Sequence, residues 1–352
     1  MNSAEAYKAP LLGKTLDELK LLVKELELPS FTAGQIAYWL YKTNIASIDE
    51  MTNISKANRA ALSSKYVLGV SQPVNMQHSA DGTKKYLYKT DKGKFIETAY
   101  IPDDPRHTLC VSSQVGCKMG CLFCMTGKQG FQGQLSSAEI INQLRSLPEG
   151  KDITNVVYMG MGEPFDNYSE VMKAVEIMTS EYGFAISSRK VTVSTVGLIH
   201  AMDRYLAESK CNLAISLHTP FDEERKRLMP VQNVYPIREV IDVINKHDLG
   251  KYRRISMEYI VFGGINDTSA HVKELARLLN KTRCRINLIR FHPVPGADLP
   301  ATDEVRLLEF QRALNNKGIV TTLRASRGLD IDAACGLLST KKLLSTNIEN
   351  DI

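Results

Sequence analysis

Cys117, Cys121 and Cys124 stand in CxxxCxxC spacing within residues 111–127, VSSQVGCKMGCLFCMTG. Three thiols on one short loop point to a metal centre. They can supply three of the four sulfur ligands of an iron-sulfur cluster and leave one iron open to a substrate, whereas a closed structural zinc site takes four protein ligands. The alternative is a zinc knuckle completed by a distant Cys or His. Phe123 precedes the third Cys, and Gly116 and Gly120 let the backbone wrap closely around a compact inorganic body.

Other residues with chemical potential lie at the ends of short apolar segments. Strands are expected at 109–112, 155–159, 190–194, 212–217, 254–260 and 285–289, separated by helical stretches such as the one opened by the capping box Ser136-Ser-Ala-Glu139. Six strands alternating with helices predict a parallel sheet, whose ligands sit at the carboxyl ends of the strands. Those ends are polar or glycine-rich. After strand one comes the cysteine loop, then Gly160-Met-Gly-Glu-Pro164, Ser194-Thr-Val-Gly197, Ser216-Leu-His218 and, after strand six, Phe291-His-Pro293. The GxGEP loop offers unobstructed backbone N–H groups, and Glu163 is an acceptor for an ammonium or a ribose hydroxyl. Ser194 and Ser216 suit the same adenosyl ligand, although each alone also reads as a turn residue. The expected fold is α/β, a partial (βα)6 barrel with its site across the mouth.

The segments before residue 106 must frame that barrel. Residues 1–75 read as a small helical module: Thr15-Leu-Asp-Glu18 is a capping box with Leu16, Leu19 and Val23 behind it, Thr32-Ala-Gly-Gln35 repeats the signal, and Ile36, Trp39 and Leu40 form one stripe. Residues 31–90 hold seven Lys or Arg against three acids, which suits either phosphate contact or a solvated surface. Residues 76–105 read as a β-hairpin and linker around Asp91-Lys-Gly93. Glu97 is the odd residue on its face, either a solvent-facing edge residue or a carboxylate aimed into a site as a base. Residues 106–345 form the barrel, ending in a strand expected at 320–323 and a loop at 327–336, RGLDIDAACG, where Cys335 sits between glycines and acids. Cys211 and Cys284, at strand starts, read as core.

Composition narrows the class. Of 352 residues 43% are hydrophobic and 24% charged, as in ordinary globular proteins. The start, MNSAEAYKAPLLGK, has no apolar signal core, no run reaches the roughly 20 residues of a membrane span, and the clustered cysteines read as ligands, so a cytoplasmic protein without membrane contact is expected. Net charge is 44 − 39, or +5, which permits a polyanionic partner.

The cysteine loop with its preceding aromatic resembles the radical S-adenosylmethionine (SAM) enzymes. Taken with MGMGEP, VTVSTVG, AISLHTP, RINLIRFHPVPGA and RGLDIDAACG, it makes nearly the whole chain similar to the RlmN/Cfr family of RNA methyltransferases. The resemblance implies a 4Fe-4S cluster on Cys117, Cys121 and Cys124, and SAM held by Gly162, Glu163, Ser194, Ser216, Leu217 and His218. His292 stands where the family often has Asn. The resemblance further implies that Cys335 becomes S-methylated, Cys110 forms a transient disulfide with it, and Glu97 accepts a proton. Two SAM molecules per turnover, 23S rRNA (at the peptidyl transferase centre) and tRNA (beside the anticodon) as substrates, carbon 2 of adenine as target, a reductant such as flavodoxin and a monomeric enzyme follow from the same likeness. The rival readings are the carbon-8 resistance methyltransferase and a non-catalytic zinc-containing RNA-binding protein.

Overall fold

The computed structural model describes residues 8–340; residues 341–345 of the expected barrel segment lie outside them. One ten-stranded sheet organises the chain. Its strands are β1 (Asn75–His78), β2 (Lys84–Lys89), β3 (Phe95–Asp103), β4 (Arg106–Cys110), β5 (Asn155–Tyr158), β6 (Val191–Thr195), β7 (Asn212–Ser216), β8 (Ile255–Val261), β9 (Arg285–Arg290) and β10 (Thr321–Leu323). They lie side by side in chain order. From β4 to β10 every pairing is parallel, so the six alternating strands are joined in the same sheet by the one expected at 320–323. Their buried faces read Val156, Val193, Leu213, Met257 and Ile286, the near-continuous apolar pattern of strands covered on both sides.

Among the described residues, eleven α-helices surround the sheet. Three precede it: α1 (Leu16–Glu25), α2 (Thr32–Tyr41) and α3 (Lys56–Lys65). The crossovers carry α4 (Met125–Gln129), α5 (Ser137–Arg145), α6 (Tyr168–Thr179), α7 (Ile199–Glu208), α8 (Asp222–Leu228), α9 (Ile237–Lys246), α10 (Ser269–Leu279) and α11 (Glu304–Asn316). In α9, Ile237, Val240, Ile241, Val243 and Ile244 are buried, a 3.6-residue stripe worth about 1.5–3 kcal/mol per side chain removed from water.

Local capping explains two helix starts and corrects a third. Thr15 and Ser136 form the expected capping boxes with Glu18 and Glu139. Thr32 does not cap α2; it is buried in the first turn, and Gln35 Nε2 donates instead to Asn53 O at 3.0 Å. Trp39 is partly buried, its indole N–H donating to Asn53 Oδ1. The helical module is fixed to the barrel by α5, where the buried Arg145 donates to Leu40 O at 3.0 Å and Ile45 O at 3.2 Å.

Residues 75–103 form no free-standing linker. The strands β2 and β3 pair antiparallel as expected around Asp91-Lys-Gly93, but β3 also pairs with β4, extending the barrel sheet itself. Two of the basic residues considered for phosphate contact are spent inside this extension, Lys84 on Glu149 and Lys85 on Glu97.

Candidate active site

The carboxyl ends of the parallel strands enclose one chamber. Its lining comes from the cysteine loop and from the ends of β5, β6, β7, β8, β9 and β10. Six strands at about 4.8 Å spacing would span more than 20 Å if flat, so the sheet curls to bring them around one space. Cys117, Cys121 and Cys124 lie in this lining with Gly162, Glu163, Ser194, Ser216 and His218.

The cysteine loop holds its shape through close backbone approach. Gly116 has φ +70, and a Cβ there would come within 1.7 Å of Gly130 O. Gly162, at φ +100, lies against Gln114, where a Cβ would meet the side chain at 2.5 Å. Only glycine fits such left-handed, crowded positions. Behind the loop, Phe123 packs edge-on against the His218 ring at 4.7 Å.

Electrostatics on the rim are set by burial. Glu163 Oε1 accepts from Phe165 N–H at 3.0 Å and Oε2 from Val196 N–H at 2.9 Å. Burial nonetheless raises its carboxyl to about 7. Burial lowers His218 to about 3, so the ring is neutral, and its Nδ1 accepts from Ile260 N–H at 3.0 Å, leaving the proton on Nε2. Leu217 is fully buried in the core and does not line the chamber; its N–H donates to Glu258 O at 3.0 Å.

Burial pushes the Cys117 thiol up to about 12 and raises Cys121 and Cys124. Such thiols stay protonated until a metal displaces the protons. Among the described residues no three His, Cys, Asp or Glu side chains are gathered closely enough to hold a single ion. Three thiols lining one chamber can each bind a different iron of a multi-iron cluster. The donor set therefore suits a 4Fe-4S cluster.

A second chamber adjoins the first. It is lined by Cys110, Met159, His292, Arg324, Ser326 and Cys335, among others. Cys335 belongs to both linings, as do Met159, Ile289 and Arg324. The loop bearing Cys335 is tied to α4 by Met125 N–H to Gly336 O (2.8 Å) and Thr126 Oγ1 to Leu338 O (2.8 Å). From the other side the strand extension grips it: Gly328 N–H donates to Asp81 Oδ2 at 2.8 Å and Ser339 N–H to Glu97 Oε2 at 2.8 Å. His292 faces this second chamber, with Nε2 2.9 Å from Ser326 Oγ, and is not in the Glu163 lining.

Glu97 is fully buried, which overturns the solvent-facing reading. Lys85 Nζ stands 3.1 Å from its Oε1, and burial raises the carboxyl above its usual range against the opposing charge of Lys85. It lines neither chamber and approaches them through its bond to Ser339. Cys110 ends β4, and burial pushes its thiol to about 12.

Sequence reasoning missed Arg324, Glu258 and Arg225. Arg324 is the first residue after β10, where inspection of strand ends would have found it; its charge faces Cys335, Glu258 and Cys110. Glu258 is an acid in the apolar strand ISMEYIV, the same signal that singled out Glu97. Arg225 lies in DEERKRL, which reads as a solvated helix face yet is fully buried at that position.

Comparison with known proteins decides the family. The radical SAM superfamily domain matches residues 111–279, and the ribosomal RNA large subunit methyltransferase N-terminal domain matches residues 9–68. A Phocaeicola vulgatus protein named "Probable dual-specificity RNA methyltransferase RlmN" is 52% identical over 338 residues, covering 96% of this chain and 97% of its own length. The chain belongs to the RlmN family of radical SAM methyltransferases. An Alkalilimnicola ehrlichii member, "Dual-specificity RNA methyltransferase RlmN", is 42% identical over 94% of both chains. A crystal structure of a radical SAM methyltransferase from Sphaerobacter thermophilus superposes with a TM-score of 0.88 at 38% identity, covering 95% of this chain and all of that one. Membership in the radical SAM superfamily brings with it a 4Fe-4S cluster and SAM. Among the described residues no helix is long and apolar enough to cross a membrane.

Proposed function

We propose that the chain methylates carbon 2 of adenine in 23S rRNA and in tRNA, through S-methylation of Cys335. The observation that carries this reading is the position of Cys335 between two chambers, one with the three-cysteine loop and Glu163, the other with Cys110. A relay is chemically required, because carbon 2 is an electrophilic amidine carbon with no lone pair to take a methyl group by displacement.

Cys117, Cys121 and Cys124 would hold the 4Fe-4S cluster, with Gly162, Glu163, Ser194, Ser216 and His218 around SAM, and the backbone of Leu217 behind them. When bound, the cluster supplies the electron that converts SAM into a hydrogen-abstracting radical. Glu163, capped by two N–H groups, presents its carboxylate to the SAM ammonium. The Cys335 sulfur would take a methyl group from one SAM by displacement, with S-adenosylhomocysteine as leaving group, and, after hydrogen abstraction by way of a second SAM that ends as methionine and 5'-deoxyadenosine, would carry the carbon that joins carbon 2. The Arg324 guanidinium faces Cys335. Glu97, bonded to the Cys335 loop through Ser339 N–H, accepts the proton from carbon 2. Once the adduct has given up its unpaired electron to the bound cluster, Cys110 would attack the Cys335 sulfur and break its bond to the transferred carbon, which takes up a proton to become the methyl group as the RNA leaves and the two cysteines form a transient disulfide. An external donor such as flavodoxin supplies electrons, and the target adenosine must leave its stack to enter. His292, in the second chamber, is placed to meet the incoming nucleotide more readily than SAM.

Cys335→Ala tests the relay. Methyl transfer should vanish while iron and sulfide content holds; an active variant would end the covalent route.

A further inference from the structure

Arg225, in the middle of α8, is fully buried, and every hydrogen bond it makes among the described residues goes to a neutral group. Its guanidinium donates to Val196 O at 2.9 Å, Ser216 O at 3.0 Å, Leu217 O at 3.3 Å and Tyr235 O at 3.4 Å, and to Gln232 Oε1 at 2.7 Å. Asp222 is reached only through Gln232, whose Nε2 donates to Asp222 Oδ1 at 2.9 Å, and its own ion-pair contact is Arg238. A buried cation without an ionic partner is strongly disfavoured, so its presence calls for an opposite charge close by in the working protein.

The geometry indicates where that charge lies. The last residue of α8 accepts a hydrogen bond from the cysteine loop, Leu122 N–H to Leu228 O at 2.9 Å, which docks Arg225's helix against the residue following Cys121. Val196 and Ser216, whose carbonyls the guanidinium binds, line the chamber that the three cysteines face. Burial pulls the guanidinium down to about 10, and Cys121 precedes Asp222 among the opposite charges that act on it. Three thiolates leave an iron-sulfur cluster anionic, and each added electron deepens that charge.

We propose that Arg225 is the fixed counter-charge of the cluster and raises its reduction potential by stabilising the reduced form. The four carbonyls hold the guanidinium in place, so it acts as a preorganised charge. Arg225 is on this account a positioning residue for electrons, touching neither SAM nor RNA. The proposal rests on the assignment of the cluster to Cys117, Cys121 and Cys124.

The test is an EPR-monitored redox titration of the anaerobically reconstituted full-length protein with dithionite as reductant. Arg225→Met and Arg225→Lys both lose the fork of carbonyl bonds, so the difference between them isolates charge. The Met variant should shift the reduction equilibrium at least tenfold toward the oxidised form, 59 mV for one electron, while the Lys variant stays within threefold of wild type. Gln232→Glu keeps the arginine and its carbonyl bonds but puts a carboxylate on Nη1; it should lower the potential in the same direction, and it answers the question even where Arg225→Met fails to fold. A wild-type potential in Gln232→Glu, or a Lys variant that falls as far as Met, would overturn the proposal. Wild-type protein that takes up no iron and sulfide would remove the cluster assignment, and the proposal with it.

Discussion

Lys85→Met asks whether Glu97 is held as a buried carboxylate, as its role as proton acceptor demands. Glu97 is fully buried on β3, and Lys85 on β2 is 6% exposed with its Nζ 3.1 Å from the carboxylate. Removing one partner of such a pair costs about 3–5 kcal/mol, because the remaining charge is left without compensation. The carboxyl can escape part of that cost by taking a proton. Burial already raises it above 4.5 and Lys85 is the largest opposing influence, so the variant raises it further. A group that binds its proton more tightly in the folded state loses stability as pH rises from the unfolded value through the folded one. The variant should therefore lose least near pH 5 and most at pH 8, where about 3 kcal/mol is expected from urea unfolding followed by circular dichroism. Lys85→Met/Glu97→Gln should recover most of the loss, since an amide leaves no buried charge. A loss below about 1 kcal/mol at pH 8, the scale of a surface pair, would refute the reasoning. Equal losses at both pH values would refute it too.

Two further predictions concern the chambers. Cys110→Ala should leave RNA covalently attached to Cys335, seen as a retarded band on a denaturing gel; normal release with no crosslink would remove Cys110 from the mechanism. Because burial holds the Glu163 carboxyl at about 7 and SAM binding needs its anion, SAM affinity measured by calorimetry should fall about tenfold per pH unit below pH 7. Glu163→Gln should bind weakly with no such slope, and a flat wild-type profile from pH 5 to 8 would contradict the assignment.

The sequence made the parallel framework legible because each strand is a short apolar run ended by glycine or a small polar residue, a pattern local to the segment. Cys117, Cys121 and Cys124 were legible for the same reason, as their spacing alone brings them onto one loop. The fate of Glu97 was not, because alternation along β3 shows which residues share a face and says nothing of what covers it. Lys85 and the Ser339 segment cover it, and both come from elsewhere in the chain. Arg225 was hidden by its neighbours: six of the seven residues of α8 are charged, and it is the carbonyls of Val196, Ser216, Leu217 and Tyr235 and the Gln232 side chain that hold one of them inward. The convergence of Cys110 and Cys335 likewise depends on the curl of the sheet, which brings β4 and the segment after β10 to one chamber.

The central claim is the methylation of carbon 2, and nucleoside mass spectrometry tests it most directly. Unmodified 23S rRNA and tRNA are incubated anaerobically with the reconstituted protein, SAM and a reductant, then digested. The account predicts 2-methyladenosine from both RNAs. Finding 8-methyladenosine, or no methylated adenosine from a protein with a full cluster, would contradict it.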